Sequence, residues 1–163
     1  MLKQEKYRPE PAELHSTDHV WADGVEEGTS HPTEARPFGH LEAIKSRALG
    51  GDTEAQRLLA LILELGLADE PDQTGASEWY MRAALRGLVA AQFQLARLYI
   101  EGRGVPRDYV SAYVWMAVAS KGGHQTARTL LPLLLRLLNK KQLLEATERV
   151  SALRIPEDHI QHP

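Results

Sequence analysis

The sequence predicts an all-α solenoid built from stacked pairs of antiparallel helices. From Leu41 onward, apolar residues recur at three and four positions, which is the spacing that one buried helix face requires. Glycines interrupt this pattern at helix-length intervals, where they suit the ends of helices. The chain also aligns with itself after a shift of 36 residues, because 12 of the 39 residue pairs in 48–86 against 84–122 are identical.

The residues that repeat have a packing interpretation. Small alanines allow two helices to approach closely, a leucine fills the seam between them, and a tryptophan supplies a large apolar area between one pair and the next. These positions are Ala55 and Ala91, Ala60 and Ala96, Leu59 and Leu95, and Trp79 and Trp115. Asp72 and Asp108 precede the second helix of their units, where a carboxylate can accept the free first-turn amides.

A third unit begins at Gly123 and then diverges from the repeat. Pro132 falls inside its apolar run, so we expect the helix to kink or restart there. Asn139 followed by Gln142 is typical of a capping box. We therefore expect a final helix over KQLLEATERVSAL that caps the exposed end of the stack.

Residues 1–40 differ in composition from the rest of the chain. They hold eight acids against four bases, a local charge of −4, and four of the nine prolines. A segment with so few large apolar residues buries too little surface to offset its ordering entropy. We therefore predict a mostly disordered acidic arm at 1–40, a helical array at 41–154 and a flexible tail at 155–163. The arm is also a candidate for self-association.

Composition excludes several classes of function. The 163 residues include no cysteine, which removes disulfides, thiolate catalysis and thiolate zinc sites. The net charge of −3 argues against a general nucleic-acid-binding protein. The sequence lacks both a signal peptide and the ~20 consecutive apolar residues that span a bilayer. We expect a cytoplasmic protein without membrane insertion and without a cofactor.

The stretch 87–127 resembles a Sel1-like repeat, a relative of the tetratricopeptide repeat. The matching features are the turn EGRGVPRD at 101–108 and a series of small and aromatic residues around it: Ala91, Leu95, Ala96, Tyr99, Ala112, Trp115 and Ala119. The resemblance covers 41–154, and the first unit departs from it at 64–73. It implies a right-handed α-solenoid whose concave surface binds a peptide or a partner protein, as an adaptor.

Helical spacing predicts which side chains line that groove. If Leu95, Ala96 and Tyr99 point toward neighbouring helices, the opposite side of the same helix faces the groove. The predicted groove residues of the three units are Arg57, Leu61 and Glu64; Phe93, Arg97 and Ile100; and Thr129, Leu133 and Arg136. Three arginines beside Phe93 suit an extended segment that carries a carboxylate and an apolar anchor.

Two alternatives to an adaptor remain open. The acidic arm is the basis of the first, a regulatory or structural module in which the arm occupies the groove or mediates self-association. An enzyme or metal protein is less favoured, although His15, His19 and Asp23 have the spacing of three ligands on one helix face. No second cluster completes that set, and GRGVP at 102–106 lacks the Lys-Ser/Thr of a phosphate loop. We therefore predict a non-enzymatic protein without a metal site.

Overall fold

The computed structural model describes residues 39–155, and this part of the chain consists of seven helices without a β-strand. The helices are α1 (Gly39–Leu49), α2 (Thr53–Leu65), α3 (Gln73–Leu85), α4 (Val89–Glu101), α5 (Tyr109–Lys121), α6 (Gln125–Leu135) and α7 (Lys140–Ala152). The first helix begins two residues before the predicted end of the arm. The predicted arm at 1–38 and tail at 156–163 lie outside the described residues.

Successive helices pack side by side, which confirms the predicted solenoid. Helices α2 and α3 form one pair and α4 and α5 the next, and α3 packs on α4 to join them. The repeated small and seam residues are all buried, as predicted: Ala55, Leu59, Ala60, Ala91, Leu95 and Ala96. The two tryptophans both join neighbouring units, although Trp115 is buried and Trp79 is only half-buried beneath the guanidinium of Arg82, 4.3 Å from its ring centre.

Aspartate side chains begin the second helices, also as predicted. Asp72 accepts a hydrogen bond from the amide of Gly75 at 2.8 Å, and Asp108 accepts one from Val110 at 2.9 Å. Burial raises the pKa of Asp108, but hydrogen bonds from Ser111 and Val110 lower it more, so its pKa lies below the ordinary value. These carboxylates satisfy amides that have no partner within the helix.

Two buried glutamines, one in each of the first two repeats, link the first helix of the repeat to the helix before it. The side-chain amide of Gln56 donates to the carbonyl of Ala48 at 3.0 Å, and that of Gln92 donates to Ala84 at 3.2 Å. Both bonds satisfy a carbonyl at the C-terminal end of the preceding helix. The glutamines are identical in the self-alignment, but periodicity alone assigned no role to them.

The third unit differs from the first two. Helix α6 continues through Pro132 and ends at Leu135, so the predicted restart at this proline does not occur. The predicted closing helix, α7, is present, and its main contact is with α5, where Ala146 packs with Val110 and Val114. Helix α6 therefore does not form the kind of hairpin with α7 that α4 forms with α5.

The start of α7 has the predicted capping box. Asn139 Oδ1 accepts from the amide of Gln142 at 2.9 Å, and Gln142 Oε1 accepts from the amide of Asn139 at 3.0 Å. We expect Asn139→Ala to lower the free energy of unfolding by about 1 kcal/mol, because the first-turn amide of Gln142 loses its acceptor. Urea unfolding measures this loss. Lys141→Ala, an exposed change in the first turn of the same helix, is the control; an equal loss in both variants would argue against the cap.

Candidate functional site: the first-helix surface

The nine predicted groove residues lie on the first helices α2, α4 and α6 or directly after α6, with different exposures. Five are half-buried, namely Arg57, Leu61, Phe93, Arg97 and Ile100. Three in the third unit are exposed, namely Thr129 and Leu133 on α6 and Arg136, the residue that follows α6. Glu64, by contrast, is only 4% exposed. The first-helix surface, as we name these nine residues, therefore becomes more open from α2 toward α6.

An aromatic pair lies on the middle of this surface. The rings of Phe93 and His124 are stacked with their centres 4.2 Å apart and their planes inclined by 15°. His124 also begins α6, because its Nδ1 accepts a hydrogen bond from the amide of Ala127 at 3.2 Å. Burial lowers the pKa of His124, which favours the neutral ring that can accept this bond. The sequence did not predict the stacking of His124 on Phe93.

A buried carboxylate organises the charges of the first two units. Glu64, in the last turn of α2, accepts a hydrogen bond from the guanidinium of Arg97 on α4. Its other oxygen accepts from the hydroxyl of Tyr80 on α3 at 3.0 Å. Arg103, in the loop after α4, lies 3.3 Å from the same carboxylate. Glu64 therefore joins three elements that are up to 39 residues apart in sequence.

The environment of this cluster fixes the protonation of its members. Burial, together with the charge and hydrogen bond of Glu64, raises the pKa of Tyr80 well above its usual value, so the phenol keeps its proton and donates it. Burial lowers the pKa of Arg97, but the hydrogen bonds and charges of Glu64 and Glu101 outweigh burial and raise it. Arg97 thus remains a cation. Tyr80 and Arg97 therefore keep the protons that they donate to Glu64.

Two of the three predicted groove arginines have acidic partners within the chain. Arg57 pairs with Glu54 at 2.8 Å, and all three guanidinium nitrogens of Arg97 are hydrogen-bonded, to Gln94, Glu101 and Glu64. Arg136 makes no ion pair with any residue in 39–155. The first-helix surface therefore carries less free positive charge than the sequence predicted.

Thr129 and Ile100 complete the surface in different ways. The hydroxyl of Thr129 donates to the carbonyl of Gln125 in its own helix at 3.2 Å. Ile100 packs against the main core and is half-buried. Ile100 and Phe93 are two turns apart on α4, so they share one side of that helix.

Residues 39–155 contain neither a cluster that could hold a metal ion nor a helix that could span a membrane. Within 39–155, no group of three or more acids and histidines is arranged to hold a metal ion. The sequence candidates His15, His19 and Asp23 lie outside this range. No helix of the described part is long and apolar enough to cross a membrane. The predicted cytoplasmic location remains a prediction.

Comparison with known proteins assigns the architecture to a class, the helical-repeat solenoids. The Sel1 repeat family model matches 53–88 and 89–124, which are the α2–α3 and α4–α5 units with their following loops. A solved Sel1 repeat protein from Oxalobacter formigenes is 34% identical with a TM-score of 0.55, over 56% of this chain and 69% of that chain. The chain belongs to the Sel1-like repeat family, as its sequence predicted.

Two further relatives are much longer than this chain. The structure of c5321, a protective antigen present in uropathogenic Escherichia coli strains that displays an SLR fold, is 32% identical with a TM-score of 0.66; the match covers 69% of this chain and 24% of that one. The chitin synthase regulator SKT5 of Saccharomyces cerevisiae is 39% identical over 75 residues, which is 45% of this chain and 11% of the regulator. Sel1-repeat proteins generally mediate protein–protein interactions, and their fold is typically a non-catalytic scaffold.

Proposed function

We propose that this protein is a non-enzymatic adaptor whose first-helix surface binds a peptide segment of a partner protein. The observation that carries the proposal is the Phe93–His124 stack, a large aromatic platform in the middle of the array that is only half-buried. Side chains of this kind, set among apolar neighbours, supply most of the binding energy in protein interfaces. The repeat architecture supports the proposal, because stacked units form an extended binding surface.

The chemistry of the surface defines the segment that fits. Ile100 and Phe93 on α4 and Leu61 on α2 provide half-buried apolar contacts, and Leu133 on α6 provides an exposed one. Arg136 is the groove arginine without an ion-pair partner in the described part of the chain, so a carboxylate of the segment is best placed toward α6. We propose an extended segment with one aromatic or branched apolar anchor, followed by an acid.

The yeast relative suggests what such an adaptor does. It is a chitin synthase regulator, and the match to this chain covers 75 residues. By analogy, we propose that the bound segment belongs to a protein whose activity or position is controlled through the complex.

The proposal is tested by capture and crosslinking with the full chain. We expect Phe93→Ala to weaken binding of a captured partner by at least about tenfold, because the anchor loses its aromatic platform. Leu85→Ala, an exposed apolar change on the second helix α3, is the matched control and should retain the partner. Circular dichroism and melting temperature establish that both variants are folded.

A crosslinker locates the contact. A photoreactive amino acid at position 133 should crosslink the partner, whereas the same amino acid at position 85 should not. Equal capture by the wild type and the Phe93→Ala variant, or crosslinks confined to position 85, would show that the first-helix surface is not the binding site.

A further inference from the structure

Exposed leucines are concentrated at the two ends of the array. Within 39–155, the middle repeat at 89–124 has no exposed large apolar side chain, whereas residues 39–88 and 125–155 together have nine. The N-terminal part exposes Leu49, Leu58, Leu65, Leu67 and Leu85, and the C-terminal part exposes Leu133, Leu135, Leu137 and Leu144. Leucines that stay exposed at two separate places on a small domain indicate surfaces that bind another macromolecule.

The ends also carry opposite charges. Residues 39–72 contain seven acids and three bases, a net charge of −4, whereas residues 109–144 contain five bases and not one acid. Asp69 and Glu70, beside Leu67, are exposed and make no ion pair with another described residue. Lys140 and Lys141, near Leu137, are also exposed and make no ion pair with another described residue. Neither set of charges is therefore neutralised by an ion pair within 39–155.

Helix α6 lacks the cover that its counterpart α4 has. Gln92 and Ala96 on α4 are 2% and 0% exposed, and the residues 36 positions later on α6, Arg128 and Pro132, are both exposed. Helix α7 packs on α5 and makes few contacts with α6. The last unit is therefore an incomplete repeat, and incomplete terminal repeats expose apolar surface unless another element covers them.

We propose that the C-terminal end of one copy of this chain binds the N-terminal end of a second copy. The basic leucine surface, defined as Leu133, Leu137, Lys140 and Lys141, contacts the acidic leucine surface, defined as Leu65, Leu67, Asp69 and Glu70. Both surfaces combine apolar area with unmatched charge, and the charges are complementary. Because the two surfaces differ, the contact is head-to-tail, and each pair retains one free surface of either kind for further copies.

Charge complementarity identifies a second copy of this chain as the binding partner, because each copy carries both the acidic and the basic leucine surface. Opposite charges steer two such ends together and oppose contact between two identical ends. The contact therefore needs no third molecule; it covers Leu133 of the first-helix surface and leaves the residues of that surface on α4 free. This inference does not depend on the peptide-binding function proposed above.

Sedimentation velocity of the full chain tests the proposal over a wide range of concentration at low and high salt. We expect dimers and larger species that dissociate at high salt. Lys140→Glu/Lys141→Glu should raise the dissociation constant at least about tenfold, because both contacts become repulsive. These acids lie in the first turn of α7, where they favour the helix, so folding is preserved. Asp69→Lys/Glu70→Lys should weaken association equally.

Mixing the two double variants is the decisive experiment. Each variant alone has like charges at both ends, whereas an equimolar mixture restores complementary pairs and should associate like the wild type. Arg107→Glu/Lys121→Glu, which makes the same change of net charge in the middle repeat, is the control and should associate normally.

A wild type that is monomeric at every concentration, or association that persists in both variants, would overturn the proposal. Binding of a monomer to phosphatidylserine vesicles that is lost in Lys140→Glu/Lys141→Glu would assign the basic leucine surface to lipid instead.

Discussion

Replacing Gly104 with alanine is expected to destabilise the protein by about 3 kcal/mol or more. Gly104 has a φ of +68°, in the left-handed region that residues with a Cβ rarely adopt. A Cβ at this position would also overlap the backbone carbonyl of Gln73, the first residue of α3. Backbone cannot move aside as a flexible side chain can, so the loop after α4 would have to leave α3.

The contacts around Gly104 explain why its loss extends beyond one turn. The hydroxyl of Ser77 lies between two carbonyls, 2.8 Å from that of Thr74 and 3.2 Å from that of Gly104. Arg103, the neighbour of Gly104, lies 3.3 Å from Glu64. The loop of the second repeat is therefore attached to the first repeat by a close backbone approach, a hydrogen bond and an ion pair. Displacing the loop breaks all three contacts.

Gly123→Ala is the matched control for this prediction. Gly123 also has positive φ, at +93°, but a Cβ there would have no neighbour within 4 Å. Its cost is the backbone strain alone, about 1 to 2 kcal/mol. Urea unfolding of both variants separates the two effects. Equal losses of stability would mean that the approach to Gln73 has no energetic role.

The comparison between these glycines shows what the sequence could and could not predict. Helical periodicity and the 36-residue self-alignment predicted the helices, the caps at Asp72, Asp108 and Asn139, and the buried alanines, because these depend on local spacing. The closeness of Gly104 to Gln73 depends on how one repeat stacks on another. Self-alignment identifies equivalent positions, but it does not determine the distance between units.

The candidate site shows the same division. Helical spacing placed Glu64 on the groove side of α2 with Arg57 and Leu61, and those two residues are half-buried on that helix. Glu64 is buried because Arg97, 33 residues later, reaches it. Equivalent positions in the other units hold Ile100 and Arg136, so the repeat pattern contained no signal for a buried acid. Tyr80, which replaces Met116 of the second unit, was the sequence signal for a buried polar partner, because the hydroxyl of a buried tyrosine needs a hydrogen-bond acceptor.

The end of the array was the least predictable part. The capping box at Asn139 predicted where α7 begins, since both of its hydrogen bonds are local. The sequence did not indicate that α7 would pack on α5, because the apolar residues of an amphipathic helix do not specify which neighbour they contact. Which leucines of the last unit stay exposed depends on this packing of α7 on α5.

Replacing Arg97 with methionine is the second change with a large expected effect. It keeps the aliphatic stem and removes the charge, so Glu64 stays buried with Tyr80 and the more distant Arg103. Removing one partner of a fully buried ion pair costs about 3 to 5 kcal/mol. Arg97 is 30% exposed and Arg103 remains, so we expect a smaller loss, about 2 kcal/mol. Urea unfolding measures it.

Two further variants determine whether the loss of stability in Arg97→Met comes from the buried Glu64 carboxylate that has lost its cation. Arg57→Met removes a half-buried arginine whose partner Glu54 is 59% exposed, and it should cost less than about 1 kcal/mol. Glu64→Gln/Arg97→Met removes both charges and keeps an acceptor for the hydroxyl of Tyr80. This double variant should recover most of the stability, because the penalty of Arg97→Met is chiefly that of a buried carboxylate without its cation. If the double variant is as unstable as Arg97→Met alone, the penalty arises from packing around the arginine stem and the ion pair contributes little.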